Sequence, residues 1–535
     1  MRHVTMGPLG VAAPPAPPAV AGGKLPRQET KAGAVLDLFE AFTRLYRPPG
    51  EEDAARAAIE DIVRRSESLW PAGSVSTARD DAGNLLVRLP GTGRFANLAK
   101  PVVLQAHMDM VLAVEGAKPG EDLRPYFRQG VKTELVTVDG EQWIRSLGSR
   151  TSLGADNALG MAVAARYITD PSIEHPPLEL VFTTREEVGL VGARQMRLPL
   201  AGRVLFNFDS PGARTITRGC MGSSGAFMGG LAPTAPPDAG STQMQLDLRG
   251  LRGGHAARDA HRRRLNAAIA GAELIAVAER FGGRLVNVRS GDGKVFNKIN
   301  DACGMTLVLP KENVEKALTE MRAKLAALLA TRDEDPAQVK LTASIGEVTA
   351  AKAFTSEATR RLATGLAGVP DGLLVADPGY PDTVKVSSNF ALLMADAADG
   401  SVGTVYSART FTPADTTTWA TRIESALRGA FDVAKTQRDA VAPWLLEEDH
   451  WLVRTALALG RQHFASVALL PATIECGAIA ALYEGMAAIS LGTDLVDNHT
   501  PRERMRRDGL VELATSTQLL IESIGERMLR GRDPL

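Results

Sequence analysis

His107 and Asp109 stand two residues apart at the end of an apolar run, Val102-Val103-Leu104-Gln105-Ala106. Further carboxylates close later apolar runs. Glu186 and Glu187 follow Leu180-Val181-Phe182-Thr183-Thr184, Asp209 follows Val204-Leu205-Phe206-Asn207-Phe208, and Asp156 lies in Gly154-Ala155-Asp156-Asn157. A second histidine, His499, comes near the C-terminus. Imidazole nitrogen and carboxylate oxygen are the donors that zinc takes when a position is kept open for water. Two zincs need one bridging carboxylate and at least two terminal ligands each. Asp156 fills the bridge, His107 and Asp209 complete one metal, and Glu187 and His499 complete the other. Asp109 is placed to accept the imidazole N–H of His107 and fix its tautomer. Glu186 is left over beside a ligand, where an unligated carboxylate next to activated water serves as a general base. Manganese or cobalt would suit the same donors.

Each residue also has a plainer reading. A Glu-Glu pair in a turn is usually solvated, Asp209 could cap a helix, and His499 could simply precede one. The combination argues otherwise, because five candidates fall where the ends of sheet strands would gather them.

The elements must therefore bring distant segments to one edge. At 535 residues the chain is too long for a single ordinary core. Alternating strands and helices between residues 31 and 220 predict an α/β sandwich, with strands over 85–89 and 101–111 and two more ending at Thr184 and Asp209. A small-residue helix is expected over 158–168. After Gly219 the pattern becomes α+β. Strands are predicted over 241–248, 305–309 and 403–408, and helices over 267–281, 314–329 and 418–433. The α/β pattern returns after Pro443-Trp444, with a strand over 487–491. Thr500-Pro501-Arg502-Glu503 reads as a capping box that opens the last helix directly after His499. The expected domains are a disordered extension over 1–30, a metal-binding domain in two parts over 31–220 and 442–535, and an inserted lid over 221–441.

A net charge of −1 supplies no field to recruit nucleic acid. No apolar run approaches the ~20 residues of a membrane span, so neither nucleic acid nor membrane is expected as a partner. Three cysteines, Cys220, Cys303 and Cys476, do not make a disulfide framework and fit the cytoplasm.

The stretches LQAHMDMV (104–111), TSLGADNALGMA (151–162), FTTREEVGLVGA (182–193), LFNFDS (205–210), LRGGHAARDAH (251–261), IECG (474–477) and NHTPRERM (498–505) resemble one known group. It is the dizinc metallopeptidase superfamily of aminoacylase, carnosinase and glutamate carboxypeptidase, and within it the bacterial aminoacyl-histidine dipeptidase type. The resemblance implies an α/β zinc-peptidase domain with an inserted α+β lid, two zinc ions per subunit and a small peptide substrate. It makes Glu186 the base and proton shuttle. It makes His255 a lid histidine that helps hold the oxyanion, in cis or across the interface of a homodimer. It gives Asn297 and Arg409 the substrate carbonyl or carboxylate, and Gly477 a backbone N–H toward substrate. The chain departs from the dipeptidase pattern at Pro211, at Pro471-Ala472-Thr473 and over 384–389. Those positions bear on substrate pockets, so hydrolysis is better supported than a preference for histidine. An N-acyl-amino-acid amidohydrolase or carboxypeptidase on the same scaffold is the competing enzyme. A catalytically silent peptide-binding protein should have lost ligands or the base, and this chain keeps them all.

Overall fold

A computed structural model describes residues 30–531 apart from 119, 257–258, 292–296 and 378–379. The extension expected over 1–30 lies outside the described residues except for Thr30. The fold is α/β and rests on two nine-stranded sheets. The first runs, in spatial order, Ser76–Arg79, Leu85–Leu89, Leu178–Thr183, Val102–His107, Val204–Asn207, Ala487–Ser490, Thr215–Cys220 and Trp444–Leu445, with Ser466–Leu470 also paired to Thr215–Cys220. Its four central strands are parallel. Both faces are covered, which is why these strands read as unbroken apolar runs. Val102, Leu104, Phe182 and Phe206 pack beneath the helices Thr30–Thr43, Asp53–Ser66, Ala155–Thr169 and Arg507–Leu529. Val103, Val181, Leu205 and Ala488 face the other way, toward Val191–Arg194 and Glu475–Leu482.

The second sheet is antiparallel and is built wholly from residues between Gly222 and Val441. Its order is Lys340–Gly346, Ser241–Arg249, Cys303–Pro310, Arg284–Ser290, Tyr380–Asp396, Ser401–Thr410, Gly222–Leu231 and Asp432–Val441, with Gly372–Asp377 on Tyr380–Asp396. Helices Ala267–Arg280, Val314–Leu329, Ser356–Ala367 and Pro413–Ala430 share its apolar core. The chain passes between the sheets twice, at neighbouring points. Cys220 pairs with Trp444 in the first sheet, and Ser223 pairs with Val441 in the second. The crossings are tightly packed, since a Cβ on Gly222 would stand 2.4 Å from the nitrogen of Pro443.

Most of the predicted elements appear with shifted ends, and one is replaced. No helix begins at Pro501. Residues Arg504–Arg506 form a strand against Glu141–Ser146, and the helix starts at Arg507. The capping box fails for two reasons. The segment finds backbone partners in another strand, and the Glu503 carboxylate is drawn away to the backbone of Leu153, Gly154 and Ala155.

Helix Ala155–Thr169 lies unusually close to the sheet at Gly160. A Cβ there would come within 2.9 Å of Ala106 Cβ and 2.7 Å of Phe208 Cβ. Both neighbours belong to segments that end in candidate ligands. Gly160→Ala should overpack this contact and cost about 1–3 kcal/mol, read as a lower denaturant midpoint in an unfolding titration.

Candidate metal centre

The parallel strands end at a common edge, and the candidate ligands follow from it. His107 is the last residue of its strand and pairs with Thr183, the last residue of the next. Glu186 and Glu187 lie in the turn after Thr183, and Asp209 lies two residues past Asn207. Asp156 enters from the start of helix Ala155–Thr169, where its backbone is not yet helical (φ −77°, ψ 105°). His499 sits in the exposed turn before Arg504–Arg506, with φ 62°.

Asp156 joins the two imidazoles. Its Oδ1 is 2.9 Å from His107 Nε2, and its Oδ2 is 3.2 Å from His499 Nε2. His499 Nε2 is also 3.1 Å from Glu187 Oε1. Donor atoms of His107, Asp156 and Glu187 lie within 4.8 Å of one another, and so do those of His107, Glu186 and Asp209. The structure therefore brings together all five residues expected to bind metal. It also places Glu186 as near as a ligand would be.

The electrostatics call for a cation. Burial pushes the Glu186 and Asp209 carboxyls well above their ordinary values, and neighbouring carboxylates push the same way. Glu187 is raised by burial and by Asp156. Burial alone would lower both histidines. The carboxylates outweigh it, so that Asp109 and Asp156 raise His107, while Asp156 and Glu187 hold His499 up to about 11. The same two imidazoles hold Asp156 below the carboxylate range against the effect of burial. Protons on the two histidines would neutralise part of this charge. A divalent ion does the same work with neutral imidazoles, and nitrogen with oxygen donors suits zinc, manganese or cobalt.

Asp109 has more than the expected role. His107 Nδ1 lies 3.4 Å from its Oδ1 and 3.2 Å from its carbonyl oxygen. Its two carboxylate oxygens also accept the backbone N–H groups of Glu186 and Glu187, at 3.0 and 3.1 Å. One buried carboxylate thus aims an imidazole and holds the turn that carries both glutamates.

Three buried charged groups close to the site were not singled out from sequence. Glu475 accepts from Thr183 Oγ1 at 2.8 Å and from Gln105 Nε2, and burial raises it to about 7. Gln105 in turn accepts from Asn207 Nδ2 at 2.7 Å. This polar floor crosses three strands beneath the ligands. Arg47 and Glu503 hold the loops from behind. Glu475 was visible only as part of IECG, Glu503 read as a cap, and Arg47, before Pro48-Pro49, lies outside every motif quoted above.

The residues expected to meet substrate, His255, Asn297, Arg409 and Gly477, are not among the clustered donors. His255 is 3.0 Å from Asn297 Nδ2 through its Nε2, across the short strand pair Gly254–His255 and Lys298–Ile299. Arg409 lies opposite Ser223 and Ser387, beside the crossings. It is largely buried, burial lowers its guanidinium to about 10, and among the described residues no carboxylate pairs with it. Gly477 sits in helix Glu475–Leu482 with its N–H 3.3 Å from Ile474 O. A Cβ there would meet Ala442 O at 2.2 Å, so packing against a crossing already demands glycine.

The parallel sheet brings His107, Glu186, Glu187 and Asp209 to its carboxyl edge, Asp156 and His499 join them from a helix start and a turn, and a second sheet is inserted in the chain between the halves of the first, an arrangement that fits a metal-dependent peptidase. The comparisons agree. The chain is 26% identical over 454 residues to the cytosol non-specific dipeptidase of Escherichia coli K12, across 83% of this chain and 90% of that one. Its fold matches the aminoacylhistidine dipeptidase of Vibrio alginolyticus with TM-score 0.74 at 24% identity, covering 91% of this chain and 96% of the other. It matches the aminopeptidase PepT of Bacillus cereus with TM-score 0.53 at 15% identity, covering 92% and 98%. No family model matches the chain. The chain is thus similar over most of its length to a dipeptidase, and it shares its fold with an aminoacylhistidine dipeptidase, in line with the resemblance carried by its motifs.

Asp109→Asn keeps the volume but leaves one acceptor oxygen for two N–H groups. Metal affinity should fall about 10–100-fold, measured by competition with a chromogenic chelator.

Proposed function

We propose that the chain hydrolyses the peptide bond of dipeptides at a centre of two zinc ions, with Glu186 as general base. The observation that carries this is Asp156, one carboxylate whose two oxygens each meet a different imidazole. Such a group is built to be shared. His107 and Asp209 would hold one ion, and Glu187 and His499 the other. When bound, the ions lower the pKa of water and stabilise developing negative charge.

The remaining steps belong to side chains. Glu186 takes a proton from the attacking water and delivers it to the leaving amine. Asp109 keeps His107 aimed and the Glu186 backbone fixed, so the base does not wander. His255, steadied by Asn297, would donate to the oxyanion when the 222–441 unit closes over the edge of the sheet as a lid. Arg409 supplies a largely buried cation that no carboxylate pairs with among the described residues, which suits the free C-terminus of a short peptide. The similarity to a non-specific dipeptidase and to an aminoacylhistidine dipeptidase supports dipeptides as the substrate class.

Zinc-loaded protein should cleave carnosine, other Xaa-His dipeptides or apolar dipeptides in preference to N-acetyl amino acids. Glu186→Gln should lower kcat about 10²–10⁴-fold while zinc binding persists. Activity that survives in that variant sinks the assignment of the base. Cleavage of acylated substrates alone moves the reading to an amidohydrolase.

Arg409→Ala should raise KM for dipeptides about 10–100-fold, the loss of one charge-assisted contact. C-terminally amidated dipeptides should show little change, and equal effects on both would place Arg409 away from the carboxylate.

A further inference from the structure

We infer that Glu503 and Arg47 are positioning residues that clasp the Gly154 peptide from opposite sides and thereby set where Asp156 stands. The inference rests on the metal reading above. It begins with a backbone problem. The first N–H groups of a helix have no acceptor within it. The N-cap of helix Ala155–Thr169 is Gly154, at φ 70°, and it has no side chain to supply one. Glu503 does so from the far end of the sequence. Its carboxylate accepts from Leu153 N at 2.8 Å, Gly154 N at 2.9 Å and Ala155 N at 2.8 Å, and lies 3.4 Å from Asp156 N.

Arg47 holds the other side. It is fully buried and donates to Gly154 O, to Met108 O at 2.9 Å and to Asp109 O at 2.7 Å. A Cβ on Gly154 would meet Arg47 Nη2 at 2.7 Å, so glycine is required for the approach. Gly154 thus has its N–H on a buried carboxylate and its C=O on a buried guanidinium. The guanidinium also grips the two carbonyls that follow His107, and the carboxylate sits four residues after His499. The segments of Asp156 and of the two histidines that meet it are thus tied to one another from behind. None of the clasp's own atoms is among the candidate ligand donors.

A merely structural cap would stabilise the fold and leave metal affinity alone, whereas a positioning clasp also sets metal affinity. The test is calorimetric titration of the metal-free full chain with zinc for wild type, Glu503→Gln, Glu503→Asp and Arg47→Lys, with thermal unfolding of each metal-free protein. The expected result is zinc affinity weakened about 10–100-fold in folded variants, with dipeptide hydrolysis returning at saturating zinc. Unchanged affinity in the variants, or variants that do not fold, would overturn the inference. Wild type that takes up no zinc would instead overturn the metal reading on which it rests.

Discussion

The contact on which the site depends is that of Asp156 with two imidazoles. It brings together a helix start, a strand end and a turn near the C-terminus, and it does so inside a crowd of acids. Asp109, Glu186, Glu187, Asp209 and Glu475 all surround it, and burial penalises the charge of each. Like charges at such separations are tolerated only with compensation. Two histidines raised well above their ordinary values provide part of it here, and a divalent cation is the natural remainder. The acids are not excess ligands. They create the electrostatic demand that a metal satisfies.

Holding such a cluster against its own repulsion falls to the backbone and to the groups that bind it. The ligand-bearing turns have N–H and C=O groups outside regular structure, and buried charged side chains take them. Asp109 takes the N–H groups of Glu186 and Glu187, and Glu52 takes that of Arg185 at 2.9 Å. Glu503 and Arg47 do the same for the Asp156 loop. Charge-assisted hydrogen bonds to backbone are stronger than neutral ones, and buried polar groups left unmade are costly. The same bonds therefore satisfy the turns and keep the ligands in register. Beneath them, Glu475, Thr183, Gln105 and Asn207 fix the strand ends to one another.

The inserted sheet meets this arrangement at a narrow seam. Both chain crossings lie side by side, at Cys220–Gly222 and Val441–Trp444, so any motion between the sheets has one short axis. Arg409 lies next to that axis in the register of the second sheet, opposite Ser223. Helix Glu475–Leu482 abuts it through Gly477, and the first residue of that helix is the carboxyl under the ligands. The seam and the floor of the metal centre thus share one helix.

Much of this was legible from residue types and order. The apolar runs ending in His107, Glu186-Glu187 and Asp209 could be read because a parallel sheet covered on both faces needs continuous apolar strands, and its ligands gather at their ends. The helix over 314–329 and the strand over 85–89 matched to the residue, since their apolar spacing alone decides them. What escaped depended on partners far away in the chain. Tyr380–Asp396, seventeen residues long, carries no clean alternation and is fixed by strands on both sides. Glu503 has the spacing of a capping box. That local bond was open to it, and it lost to three backbone donors near Asp156 that no window of sequence places beside it. Arg47 gives no signal at all, because its partners are carbonyl oxygens, and every residue has one.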